Sequence, residues 1–269
     1  MPAGFLDVAR AELLATFYWY KNNRSMLAAF MLWPYLMTGI LLGLGYLFGD
    51  PRVYVERMGV RDPALFVLSA SVVAMASVNI IDTVAGFTLY NRWIGTLPYI
   101  LMSPVRAGVL LVASGLPHAL IDTAVIVAAI APASALLAGA EGVARLAFAY
   151  LLIVAGMVPL LGLAVLAASV LLVVREESNI LSSLTPFLLL ISGVFYPVEI
   201  LPRMLQLASA AVPVSYIVEA ARSLSALGSL PGRQLYMLAY ALALMSLAYN
   251  GSALAAVRVT LRAAMRRGA

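Results

Sequence analysis

Between Arg145 and Arg175, residues 146–174 run without one charged side chain. As a helix this stretch is about 44 Å long at about 1.5 Å per residue, more than the roughly 30 Å hydrocarbon core of a bilayer. The cluster Arg175-Glu176-Glu177 then stops it sharply. Comparable apolar runs occupy about 25–48, 64–89, 107–131, 179–196 and 234–257. In lipid every backbone polar group must be satisfied internally, so a spanning segment is a helix or part of a closed barrel. Barrel strands alternate apolar and polar residues over about 10 positions, and these runs are continuous. The pattern predicts an all-α integral membrane protein with six transmembrane helices. Composition agrees, with 64% hydrophobic and 11% charged residues, where a soluble domain carries about 25% charge.

The segments between the runs are as informative. Residues 1–24 form an amphipathic interface helix, with Phe5, Val8, Leu13, Phe17 and Tyr20 roughly on one side and Tyr18 and Trp19 suited to the headgroup level. They lack the compact apolar region and small-residue site of a cleavable signal peptide. In the first span Pro34 is expected to kink the helix, while Gly39-x-x-x-Gly43 and Gly45-x-x-x-Gly49 permit close helix approach. Residues 49–63 are a polar loop. Residues 91–106 are a short amphipathic segment broken by Gly95, Pro98 and Pro104, and 132–145 reads as a loop of small residues. The fifth span climbs through Gly193 to Phe195 and Tyr196 and breaks at Pro197 and Pro202, because helices end at or before the residue preceding a proline. Residues 197–232 then form a folded, partly re-entrant cap, and 258–269 a basic tail.

Six spans place both termini on one side. With the N-terminus inside, the inner segments hold Arg10, Lys21, Arg24, Arg92, Arg106, Arg175, Arg258, Arg262, Arg266 and Arg267. The outer ones hold Arg52, Arg57, Arg61, Arg145, Arg203, Arg222 and Arg233. Basic residues collect on the cytoplasmic side, so both termini are expected in the cytoplasm of a prokaryotic cell (inner/plasma) membrane. The formal charge of +5 reflects this anchoring and points to membrane lipids, with no nucleic acid as partner.

The chemistry that the chain lacks narrows its function. It has no cysteine, hence no thiolate metal site or thiol nucleophile. It has no Gly-x-x-x-x-Gly-Lys-Ser/Thr phosphate loop and so no ATPase site of its own. Its single histidine cannot build a multi-histidine metal site. The polar residues within spans are Asn79, Asp82, His118 and Asp122. Such groups are costly at membrane depth and mark function by default. Asn79 and Asp82 are candidates for a polar patch on a conduit. His118 and Asp122, four apart, share a helix face and suit either a proton relay or mutual satisfaction. Arg92, Trp93 and Tyr99 give the short 91–106 segment the residue types of an interface anchor.

Two motifs in order resemble the permease subunits of type-2 ATP-binding-cassette (ABC) exporters: Gly95-Thr-Leu-Pro-Tyr-Ile-Leu-Met-Ser-Pro104 after the second span and Ser192-Gly-Val-Phe-Tyr-Pro197 through Leu201-Pro202 after the fifth. Val212-Pro213-Val-Ser-Tyr216 with Arg222 is similar to a third, with valine where the family has asparagine. The resemblance implies a conduit formed by a dimer of such permeases, identical or related, over two copies of a separate nucleotide-binding subunit that binds ATP and Mg, so that this chain holds no cofactor. It implies a cytoplasmic coupling helix with Arg92, Gly95, Thr96, Leu97, Tyr99, Leu101 and Pro104, and an outer gate at Gly193, Phe195, Tyr196 and Pro197 backed by extracytoplasmic re-entrant helices. Cargo in such a family is a lipophilic drug or antibiotic, a lipid or a glycan-lipid. Pro98 departs from the pattern and suggests a coupling helix that is shorter or starts later. The alternatives are an ion-coupled secondary transporter using Asp82, His118 and Asp122, and a membrane-embedded enzyme acting on lipids, which the lack of a clustered acid-base or metal constellation disfavours.

Overall fold

The computed structural model describes residues 4–48, 63–103, 105–173, 179–194, 196, 198–227 and 232–266. Among them every regular element is a helix. In chain order these are α1 (Phe5–Asn22), α2 (Arg24–Phe48), α3 (Pro63–Trp93), α4 (Leu97–Leu101), α5 (Ala107–Val173), α6 (Asn179–Ile191), a 3₁₀ turn (Val198–Ile200), α7 (Arg203–Ala210), α8 (Pro213–Leu227) and α9 (Gly232–Arg266). Among the described residues three stretches are long and apolar enough to cross a membrane: Val67–Trp93, Gly108–Val173 and Leu235–Ala263.

The 67 residues of α5 would extend about 100 Å if straight. They do not, because the backbone leaves helical geometry at Gly139, with φ 60° and ψ −148°. The chain reverses there. A Cβ at Gly142 would lie 2.4 Å from the carbonyl oxygen of Ser134, and Leu110, Leu111 and Leu172, from opposite ends of the helix, line one small pocket. Thus α5 is a hairpin of two arms, 107–138 and 140–173. The residues expected to form a loop at 132–145 continue both arms almost to the turn. Alanine and leucine dominate them, and both favour helix.

Helix α3 runs through the centre of the bundle. Val72, Val73, Ile80, Ile81 and Val84 are fully buried on it, with Ala70, Ala74, Ala76 and Ala85 between them. Lipid supplies no hydrophobic drive between helices, so close packing at small residues takes its place. Gly115 on the first arm of α5 meets α3 so closely that a Cβ would come 2.2 Å from Val84 Cγ2. On the second arm, Gly156 receives Ile217 of α8, and Gly162 lies against the backbone of Tyr249 and Asn250 of α9. Hydroxyls in the bundle return to their own helix: Ser71, Ser77, Thr123 and Ser169 each donate to the carbonyl four residues back at 2.7–2.8 Å. This satisfies polar side chains where no water competes.

A single residue, Asn23, separates α1 from α2. Its Nδ2 donates to Trp19 O at 2.9 Å, and its carbonyl accepts from the backbone of Met26 and Leu27. Helix α1 packs on the first arm of α5 through Thr16 and Tyr20, both buried, while Leu6, Leu13, Leu14 and Phe17 remain exposed. Of the side expected to be apolar, Tyr20 therefore faces protein, and Leu13 and Phe17 face away from it. The polar loop expected at 49–63 lies outside the described residues, apart from Pro63, which opens α3.

Candidate functional site

At the end of α3 the chain turns sharply into α4. Gly95 makes the turn at φ 75°, a left-handed conformation that costs side-chain-bearing residues roughly 1–2 kcal/mol. Asn91 organises it. Its Oδ1 accepts from Thr96 Oγ1 at 2.8 Å, its backbone carbonyl accepts from Thr96 N at 2.9 Å, and its Nδ2 donates to Phe87 O at 2.8 Å. Thr96 precedes the helix, and Pro98 falls in its first turn, where a missing N–H breaks no helical bond. The departure at Pro98 is thus accommodated without delaying the helix, which starts at Leu97.

Helix α4 has two unlike sides. Leu97 is buried and, with Ile100, closes over Phe87, Leu110, Leu111 and Leu172. Tyr99 is 72% exposed, Met102 72% and Trp93 80%. Arg92 Nη2 donates to Leu172 O at 2.9 Å, which ties the end of α3 to the end of the second α5 arm. The inner residues thus seat α4 against the bundle, and the outer ones give it an uncovered aromatic and apolar rim. Leu101 ends the helix. Pro104 lies outside the described residues.

Along α3 an incompletely covered stripe that includes its most exposed mid-helix residue recurs at helical spacing: Met75, Asn79, Asp82, Gly86 and Tyr90. Asp82 is exposed and accepts from Thr185 Oγ1 of α6 at 3.2 Å. The Nδ2 of Asn79 is buried without an acceptor among the described residues. The contact between Gly115 and Val84 sets Asp82 at nearly the depth of His118, yet the two serve different faces.

His118 and Asp122 form an i, i+4 pair, Nε2 to Oδ2 at 3.3 Å. Each also meets α1: Tyr20 donates to Asp122 Oδ1, and Thr16 Oγ1 is 3.1 Å from His118 Nδ1. Thr16 Oγ1 also donates to Glu12 O at 2.8 Å. Trp19 and Tyr20 close the site with their rings against the imidazole, at centroid distances of 6.1 and 6.4 Å. Burial holds the Glu12 carboxyl above the usual carboxylate range, and His118 partly offsets this. The partners Thr16 and Tyr20 escape a reading of local sequence. The available signal is that they repeat the i, i+4 spacing of the pair they serve.

At the opposite end, α6 stops at Ile191 and Gly193 turns the chain at φ 70°. Tyr196 donates to Leu190 O across this turn. Phe195 and Pro197 lie outside the described residues. Behind the turn, Gln206 Nε2 donates to Glu199 O and Leu201 O, Tyr216 to Ala210 O at 2.9 Å, and Tyr249 of α9 to Ala211 O at 2.5 Å. Helix α8 reaches Gly156, about halfway along the second α5 arm.

Apolar helices packed at glycines, with a short helix at one end and a hydrogen-bonded cap at the other, fit a membrane protein. Residues 12–225 match the family profile for the ABC-2 type transporter. That match spans well over half of the chain, which belongs to this family: it is the membrane permease component of an ABC transporter. A comparison with curated proteins returns no match. Permeases of this family associate with ABC ATP-binding subunits.

Proposed function

We propose that this permease is the conduit of an ATP-driven exporter. It works as a dimer, identical or mixed, with two copies of a nucleotide-binding subunit docked beneath it. On this reading α2, α3, the two arms of α5, α6 and α9 are the six spans, and both termini are cytoplasmic. Helix α4 is the coupling helix, and the turn at Gly193–Tyr196 with its cap is the outer gate. The cargo is a lipophilic drug or antibiotic, a lipid or a glycan-lipid.

The observation that carries this reading is the division of α4. Leu97 is locked into the bundle while Trp93, Tyr99 and Met102 stand exposed beside it. A force applied to the rim reaches α3 and α5 through Leu97 and Ile100. Aromatic side chains in such positions are the usual energetic anchors of interfaces. Gly39, Gly43 and Gly86 have open space where a Cβ would stand, which supports a seam with a second permease. The ion-coupled alternative gains no support from the geometry, because His118 and Asp122 bond to α1 while Asp82 bonds to α6.

The test is transport and ATP hydrolysis by the permease co-reconstituted with its ATPase. Gly95→Val strains the turn and Tyr99→Glu places a charge on the rim. Both are expected to reduce ATP-dependent export by at least about tenfold while leaving the bundle folded. Intact export in both variants would remove α4 from the coupling role.

A further inference from the structure

The uncovered stripe of α3 carries one charge, Asp82. Thr185 donates to its Oδ1 at 3.2 Å, and no group among the described residues donates to its Oδ2. The Asn79 amide lies one turn away and its nitrogen has no acceptor among the described residues. Among the described residues no Lys or Arg is paired with the carboxylate. Residues 25–48, 63–91, 107–144, 146–173, 179–191 and 234–257 contain no Lys or Arg. His118 is bonded to Thr16 and Asp122 on the other face. A charged group at membrane depth is costly unless it is paired or wet.

We propose that Asp82, with Asn79 and Thr185, recognises a positively charged nitrogen on the cargo, which makes the permease selective for lipophilic amines over neutral or anionic lipophiles. This rests on the reading that the α3 stripe lines the conduit. A carboxylate with an open lone-pair set forms the strong, charge-assisted kind of hydrogen bond with an ammonium group. The Thr185 hydroxyl holds one carboxylate oxygen and leaves the other for cargo. The Asn79 amide carbonyl offers a neutral acceptor one turn along. Met75 and Gly86 flank the polar group on the same stripe and contact the apolar body of the cargo.

The experiment uses the permease–ATPase complex in liposomes with two probes, rhodamine 6G as a lipophilic cation and Nile red as a neutral lipophile. Wild type is expected to bind rhodamine 6G saturably. Asp82→Asn should raise the half-saturating concentration by about tenfold, which is about 1.4 kcal/mol. Asp82→Glu should restore it, and Nile red binding should not change. Equal rhodamine 6G binding by wild type and Asp82→Asn overturns the proposal. Because the chain has no cysteine, Met75→Cys and Gly86→Cys provide unique thiols that keep the acid and separate the two layers of the argument. Labelling that rhodamine 6G blocks and Nile red does not supports the proposal. Labelling that both probes block equally, or neither blocks, overturns it and leaves the conduit reading standing. Failure of both thiols to react overturns the conduit reading itself.

Discussion

The phenol of Tyr20 donates to the carboxylate of Asp122, and the same offset of 102 residues brings Thr16 to His118. Equal offsets mean that α1 and the first arm of α5 run in the same direction where they touch. Two i, i+4 pairs, one on each helix, thus form a four-residue latch that holds the N-terminal helix to the bundle.

Removing the phenol hydroxyl leaves a buried carboxylate oxygen without its donor, a loss of about 1–3 kcal/mol. Tyr20→Phe is expected to lower the thermal stability of the detergent-solubilised protein and to expose α1 to protease before the bundle unfolds. Thr16→Ala should have a smaller effect, because part of the Thr16 hydroxyl's bonding goes to Glu12 O within its own helix. Limited proteolysis followed by mass spectrometry of the N-terminal fragments measures both. An α1 equally protected in wild type and Tyr20→Phe would refute the latch.

Glu12 adds a pH dependence whose sign is set by burial. Its carboxyl is held above the usual carboxylate range, so the folded state keeps the proton to higher pH than the unfolded state. Docking of α1 is therefore strongest at acidic pH and weakens as pH rises from about 4.3, the ordinary glutamate value, through the raised folded value. Glu12→Gln should flatten that profile and tighten docking at neutral pH. Protease protection of α1 from about pH 4 to pH 8 reads it directly. A Glu12→Gln profile as steep as that of wild type would assign the dependence to another group.

The long apolar helices α3, α5 and α9 are legible in the sequence because length and lack of charge are local properties, as in 146–174. The short helix at 97–101 is legible because Gly95 and Pro98 punctuate it. The latch is not, because nothing near residue 16 or 20 in sequence indicates residues 118 and 122. Asp82 is legible as a polar residue in a span, but not its bond to Thr185, which joins helices 103 residues apart. The turn at Gly139 reads from sequence as a loop of fourteen positions, since small residues serve a hairpin tip and a tightly packed helix equally well.

Close packing of the second α5 arm on α9 depends on Gly162. A Cβ there would lie 2.7 Å from both Asn250 N and Tyr249 C. Both are backbone atoms, so the helices themselves must separate. The separation would also stretch the bond from Asn250 Nδ2 to Val158 O, now 3.1 Å. Gly162→Ala is expected to destabilise the protein by about 1–3 kcal/mol, the range for overpacking. At Gly251 an added methyl would meet nothing within 4 Å, so Gly251→Ala should be neutral or slightly stabilising through helix propensity. Thermal melts of the two variants decide this, and equal melting temperatures would refute the packing argument.

The turn at Gly193 combines two constraints that substitution can separate. Its φ of 70° disfavours any side chain by roughly 1–2 kcal/mol. A Cβ would also meet Val198 Cγ2 at 2.5 Å, the end of a side chain that truncation removes. Gly193→Ala should therefore displace the start of the cap and slow export, while ATPase docking at α4, on the far end of the bundle, stays intact. Adding Val198→Ala should recover part of the steric loss and leave the 3.0 Å approach to Tyr196 O and the conformational part, so the double variant falls between wild type and Gly193→Ala. Export rates and ATPase co-purification measured on the same preparations separate the two ends. If Gly193→Ala instead releases the ATPase while export by the remaining complexes is normal, the turn is not an outer gate.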